Sequence, residues 1–252
     1  MSLFDKVDAL KAELASYRPI DQSGLNRLRE EFMIEFTYDT NAIEGSTLTL
    51  RETALILKEN ITIAEKPLHM HLDAIGHRDA FKYMLTIADS ADQLTERRIK
   101  ELHTLVLTSN AEGRGVYRQY PVAILGATQV PPQSYLVPVQ MEALIAEYDE
   151  MKGRQHIIAA IAEFHMRFEE IHPFIDGNGR TGRLIINLEL MKAGLLPVNI
   201  KFTDRQKYYA CFDDYFKQNN ADTLTQMLLG YEIAELERYI EIVKYVNEVR
   251  KD

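Results

Sequence analysis

One cysteine, Cys211, stands in 252 residues. A single thiol excludes an internal disulfide and suits a reducing, cytoplasmic compartment. Cys211 itself reads as a small buried apolar residue. No apolar run approaches the ~20 residues of a membrane span. Met1 to Arg18 is charged and has no apolar h-region, so no signal peptide is expected. Cations are in deficit: 29 Lys and Arg against 38 Asp and Glu leave a net charge of −9. That balance argues against general nucleic-acid or anionic-membrane binding, but not against a small local basic pocket. There is no internal repeat and no low-complexity segment. What the chain has is apolar content, at 46%, enough for a sizeable core without staples.

The periodicity is helical almost throughout. Residues 1–17 carry Leu3, Phe4, Val7, Leu10 and Leu14 on one face, and Pro19 closes the element. Ser23 reads as the cap of a longer helix with Leu25, Leu28, Phe32 and Phe36, ending near Glu44 with Gly45 beyond it. Thr49-Leu50-Arg51-Glu52 is a capping box. Further helices are expected from Leu68 to Ala88, from Thr95 onward, from Pro138 to Gly153, from Thr203-Asp204 through Phe216, and from Leu224 to Val249. His69, His71, His77 and His103 lack the cysteines and spaced acids of a metal cluster and read as surface or interhelical histidines. Residues 120–130 differ: they read as two short strands about a Gly turn, ended by Pro131-Pro132.

The chemistry is concentrated in Ile171-His172-Pro173-Phe174-Ile175-Asp176-Gly177-Asn178-Gly179-Arg180-Thr181-Gly182-Arg183. Ile157, Ile158, Ile161, Phe164, His165, Phe168 and Ile171 predict a helix before it, which Pro173 stops. Leu184, Ile185, Leu188, Leu190 and Met191 predict a second helix after it, with Gly194 as its terminator. The loop therefore opens a helix N-terminus, whose unpaired N–H groups and partial positive charge suit phosphate. Arg180 and Arg183 lie three apart on the first turns, where cations oppose the helix dipole unless a polyphosphate neutralises them. Asp176 is a hard oxygen ligand of the kind Mg²⁺ takes. His172 titrates near neutrality and can take a proton.

Simpler motifs fail here. Gly177 to Gly182 matches G-x-G-x-x-G literally, but a helix, not a strand, precedes it. A Walker A loop needs Lys-Ser/Thr where Arg183-Leu184 stand. Glu169-x-x-His172 is half of a di-iron motif, and no second half is present. The stretch resembles instead the core motif of the Fic family, H-x-F-x-[D/E]-G-N-G-R-x-x-R, at every specified position. By that resemblance His172 is the general base and Asp176 the Mg²⁺ ligand. Gly177, Asn178 and Gly179 hold the α- and β-phosphates of ATP, Arg183 holds the γ-phosphate, and Arg180, Thr181 and Gly182 complete the nucleotide-binding turn.

Three more segments join the resemblance. Thr40-Asn41-Ala42-Ile43-Glu44-Gly45 is similar to the inhibitory motif [S/T]-x-x-x-E-[G/N] of the class whose inhibitory helix is part of the same chain. There the glutamate pairs with the motif's second arginine, here Arg183, and an occupied guanidinium cannot clamp a γ-phosphate. The strands around Ile124, Leu125 and Gly126 resemble the flap that aligns a target chain by strand addition. Tyr208 matches a position that contacts the nucleotide base.

The expectation is a mostly α-helical Fic-type domain with one β-hairpin flap, spanning residues 1–252. Residues to about 45 form the N-terminal helices with the inhibitory segment, and about 46–252 form the core. The implied activity is protein adenylyltransfer from Mg²⁺-ATP to a Ser, Thr or Tyr hydroxyl of an unidentified target, restrained by Glu44 and compatible with self-modification. Fic-fold kinases typically carry Lys at the position of Gly179. Transfer of another phosphate-linked group, removal of AMP from a modified target, and a nucleotide-sensing module without turnover stay open, as does a homo-oligomer.

Overall fold

The computed structural model of the chain describes residues 1–17, 22–123 and 130–249. Ten α-helices are found among them: α1 Leu3–Ser16, α2 Gln22–Ile43, α3 Leu50–Glu59, α4 Leu68–Ala88, α5 Glu96–Val106, α6 Val137–Arg154, α7 Ile157–Ile171, α8 Asn178–Lys192, α9 Arg205–Gln218 and α10 Asp222–Val249. Local chemistry sets most of the boundaries. Ser2 with Asp5 and Thr49 with Glu52 form reciprocal capping boxes at α1 and α3. Thr95 accepts from the Arg98 N–H at the start of α5. Gly45 and Gly194 follow α2 and α8 at φ +98° and +74°, left-handed conformations that favour glycine. Helix α2 starts at Gln22, ahead of Ser23, so the expected Ser23 cap lies inside the helix.

Helix α8 is the centre of the packing. Asn178 and every residue from Arg180 to Leu190 are buried, as befits a helix enclosed on all sides. It is flanked by α7, α4, α5 and α2; α6 and α10 pack on α7, and α1 lies along α10. One hydrophobic cluster runs through all of these, from Val7 to Val243. Helix α2 is anchored at two places. Phe32 and Phe36 meet Phe81 of α4 at ring distances of 5.9 and 6.1 Å, and buried Asp39 accepts from Asn199 Nδ2 at 2.7 Å and the Phe202 N–H at 2.9 Å. This fixes the C-terminal half of α2 against α4 and the segment that follows α8.

The expected hairpin is a correction. Among the described residues there is no strand, and the protein is all-helical there. Tyr120–Ala123 and Val130–Gln133 run without ladder pairing; the flap positions Ile124, Leu125 and Gly126 lie outside the described residues. Pro121, Pro131 and Pro132 have no N–H to give a ladder. The carbonyls of Tyr120 and Pro132 are both taken by the Arg118 guanidinium. Strand-like composition lost to prolines and to a competing donor. Of the four histidines, His69 is exposed. His71, His77 and His103 are buried, and no group of metal-ligating side chains converges among the described residues.

Candidate active site

Helix α7 ends at Ile171, and His172 caps it in a left-handed conformation, φ 48° and ψ 61°. For a side chain with a β-carbon this costs about 1–2 kcal/mol, so the surroundings must hold it. The His172 N–H donates to the Phe168 carbonyl at 3.0 Å, and its own carbonyl accepts from Arg118 Nε at 2.8 Å. The turn that follows is braced from inside by Asn178. Its Oδ1 accepts from the Phe174 N–H and its Nδ2 donates to the Phe174 carbonyl, both at 2.9 Å. Phe174 stacks on His103 at 3.6 Å between ring centres. His103 Nδ1 accepts from the Gly115 N–H at 2.8 Å, which leaves the proton on Nε2 to be donated to the Asp176 carbonyl at 2.8 Å. Burial pushes His103 down to about 4, so it stays neutral in this role.

Gly177 adopts φ +76° and its N–H donates to Asp176 Oδ1 at 2.6 Å. The Asp176 carboxylate is two-thirds exposed. Arg180 is buried and lies against two carboxylates, Asp73 at 3.0 Å and Asp176 at 3.5 Å. Thr181 is buried. Gly182 packs so closely on α7 that a methyl there would meet His165 at 2.7 Å and Glu169 at 2.8 Å. Arg183 is 2% exposed and fully engaged from across the molecule. Its Nε donates to Thr40 Oγ1 at 2.7 Å, and its Nη2 donates to the Thr40 carbonyl at 3.1 Å and to Glu44 Oε1 at 2.6 Å. Burial is the largest influence and opposes its charge, but Glu44 and Tyr208 together more than offset it and raise the guanidinium pKa. Glu44 thus lies over the N-terminal turn of α8, and a methyl at Gly179 would overlap its carboxylate. The site most suited to an anion already holds one.

Tyr208 is 1% exposed. Its hydroxyl is 2.7 Å from His165 Nε2 and accepts from Arg183 Nη1 at 3.5 Å, with the guanidinium 5.6 Å from the ring centre. It supports Arg183 from behind. The more exposed ring of the pair is Tyr209, whose hydroxyl donates to the Ile43 carbonyl at 3.2 Å.

Around His172 the charges are graded. Burial lowers its pKa, the Arg118 cation acts in the same direction, and the Glu169 backbone, Glu44 and Asp176 oppose. Glu169, fully buried, is pushed up to about 8 by burial first and by Glu44 second. Its Oε2 lies 3.8 Å from His172 Nδ1. Neither His172 Nδ1 nor Glu169 Oε1 has a hydrogen-bond partner among the described residues. Beside this corner a cavity of about 320 Å³ opens between Val130, Pro132, α6 and the end of α7, lined also by Arg167 and Ile171.

Sequence reasoning named His172, Asp176, the Gly177–Arg183 turn and Glu44, and the structure brings them together at one corner. It missed Arg118, His103, Asp73 and Tyr209, which no local pattern marks. Thr40 was legible, since it lies four residues before Glu44 and so on the same helix face.

A domain helical throughout its described residues, built around a glycine-bearing helix N-terminus with a histidine, a carboxylate and a buried arginine at its rim, is the class that fold and site define. Residues 93–190 match the model of the Fic/DOC family, and that part of the chain belongs to that family. It is 34% identical over 224 residues to "Protein adenylyltransferase Fic" of Nematostella vectensis, an alignment covering 86% of this chain and 50% of the relative. Its fold is similar to a Fic-domain-containing signaling protein from Bacteroides thetaiotaomicron (TM-score 0.88, 26% identity, 95% of this chain and 97% of that one). It is also similar to Fic-1 from C. elegans (TM-score 0.83, 27% identity, 95% and 70%). The chain spans about half the length of the curated relative it matches.

Proposed function

We propose that the chain is a protein adenylyltransferase that uses Mg²⁺-ATP and is held in check by Glu44. The observation that carries this reading is the carboxylate of Glu44, seated in Arg183 over Gly179, where the helix N-terminus would take a phosphate. Relatives named for that activity support it. With Glu44 withdrawn, Arg183 is free to clamp the γ-phosphate, and the N–H groups from Gly177 onward face the α- and β-phosphates. His172, kept neutral by burial, accepts the proton of a target Ser, Thr or Tyr hydroxyl. The hydroxyl oxygen bonds to the α-phosphorus, the bond to the β-phosphate oxygen breaks, and pyrophosphate leaves.

Asp176 fits a Mg²⁺ role. It offers a hard, exposed carboxylate at the rim of the anion site, where no third ligating side chain converges among the described residues. Mg²⁺ binds by one or two carboxylates together with substrate phosphates. When bound it would neutralise phosphate charge. Tyr120, Val130, Tyr135, Val139 and Ile175 are exposed apolar side chains that a target protein could meet. The lone buried Cys211 supports a cytoplasmic setting. No described helix is long and apolar enough to cross a membrane.

The test is intact mass after incubation with Mg²⁺-ATP. The expected result is a gain of one AMP that is strongest in Glu44→Gly and absent in Glu44→Gly/His172→Ala. ATP bound by Glu44→Gly with no adduct, alone or on added protein, would favour a nucleotide-sensing module instead.

A further inference from the structure

We propose that Arg118 is the positioning residue for His172, its guanidinium fork fixing the backbone of the base at the end of α7 and tying the Tyr120 and Pro132 carbonyls to it. The inference rests on the reading of His172 as the base. Arg118 is 5% exposed, and among the described residues no carboxylate pairs with it. Among the described residues, every acceptor it uses is a main-chain carbonyl. Nε donates to His172 at 2.8 Å, Nη1 to Tyr120 at 3.1 Å, and Nη2 to Pro132 at 2.6 Å and Ile171 at 3.3 Å. Its own N–H donates to the Pro173 carbonyl at 2.9 Å. Three successive carbonyls, of Ile171, His172 and Pro173, are thereby held by one residue.

A guanidinium buried without a counter-ion needs compensation. Here the negative end of the α7 dipole and that helix's unpaired terminal carbonyls supply it. The same contacts explain why His172 can stand in a left-handed conformation without being glycine or asparagine. The fork also joins the base to Tyr120 and to Pro132, which lines the cavity beside it. A lysine could supply the charge, but not planar donors reaching four carbonyls.

The titratable and charged groups facing the His172 ring are Glu169 on α7, Glu44 from α2, Asp176 from the loop and Arg118. Of these, Arg118 alone is a cation, and its removal takes away the neighbour that disfavours imidazolium.

The test uses Arg118→Gln and Arg118→Lys, each in the wild-type chain and in the Glu44→Gly background. Mg²⁺-ATP affinity, the rate of AMP adduct formation and the His172 ring titration by NMR are read for each. ATP affinity is expected to stay within about threefold, while the adduct rate falls ~100-fold in both variants, the scale of a misplaced catalytic group. The His172 titration rises in Arg118→Gln and stays put in Arg118→Lys. Adduct formation at the parent rate with an unmoved titration would overturn the proposal, and so would a loss of ATP affinity matching the loss of rate, which marks a general structural role. Should Arg118→Gln not fold, Arg118→Lys decides by rate against affinity. If Glu44→Gly itself forms no adduct, the transfer reading fails, and the ring titration of Arg118→Gln in the wild-type chain still decides the Arg118 proposal.

Discussion

Replacing Glu44 by glycine removes one carboxylate from Arg183 and leaves the rest of that guanidinium's partners in place. Thr40 Oγ1, the Thr40 carbonyl and the Tyr208 hydroxyl remain, so Arg183 stays ordered and able to receive a phosphate. Two unit charges ~4 Å apart at an effective dielectric of 20 attract by about 4 kcal/mol. Glu44 is 38% exposed on its side chain, so solvent screening brings the net restraint down to about 2–3 kcal/mol. An internal anion favoured by that much weakens productive ATP binding by roughly 30- to 150-fold. The assay is thermal unfolding with and without Mg²⁺-ATP. At an ATP concentration equal to the wild-type Kd, ligand stabilises the wild type by about 0.4 kcal/mol; a 100-fold tighter variant gains about 2.7 kcal/mol. The difference of about 2.3 kcal/mol corresponds to roughly 5–9 °C in Tm for a chain of this size. Glu44→Gly is therefore expected to melt lower than wild type without nucleotide and to rise more with it. Equal ATP-induced shifts in the two proteins would refute the idea that Glu44 competes with phosphate for Arg183.

Three further outcomes follow from the same site. Asn178→Ala strands both polar groups of the buried Phe174 backbone, costing about 1–3 kcal/mol each way, and should lower Tm by several degrees by calorimetry. Glu169 has a folded pKa of about 8, above its ordinary 4.5. A raised carboxyl contributes stability that is present below about 4.5 and lost as pH rises to about 8; the Tm of wild type should fall across that window more steeply than that of Glu169→Gln, and parallel curves would refute the assignment. His172 has its pKa lowered below 6.5, so the adduct rate of Glu44→Gly should stay level from pH 8 down past 6.5; a loss of rate already at pH 7 would contradict a depressed imidazole.

The amino-acid sequence by itself determined the helices whose ends are written in local chemistry. Thr49 with Glu52, Thr95, Gly45 and Gly194 act on backbone groups within a turn of themselves, and the boundaries they set are those the structure has. It also determined the thirteen residues of the candidate site, because histidine, carboxylate, glycines and arginines are contiguous there. Only the tertiary structure decided what those residues meet. Asp73 reaches Arg180 from α4, Thr40 and Glu44 reach Arg183 from α2, and His103 reaches Asp176 from α5. Each of these contacts spans a long separation along the chain, so no periodicity or spacing records it. Tyr120–Ala123 and Val130–Gln133 show the same division from the other side. Their composition favours strand, but pairing is a property of neighbours, and the available carbonyls at Tyr120 and Pro132 went to a buried arginine whose four acceptors come from two separate parts of the chain. Local propensity acts over a few residues; a buried cation takes whatever acceptors the whole fold brings to it.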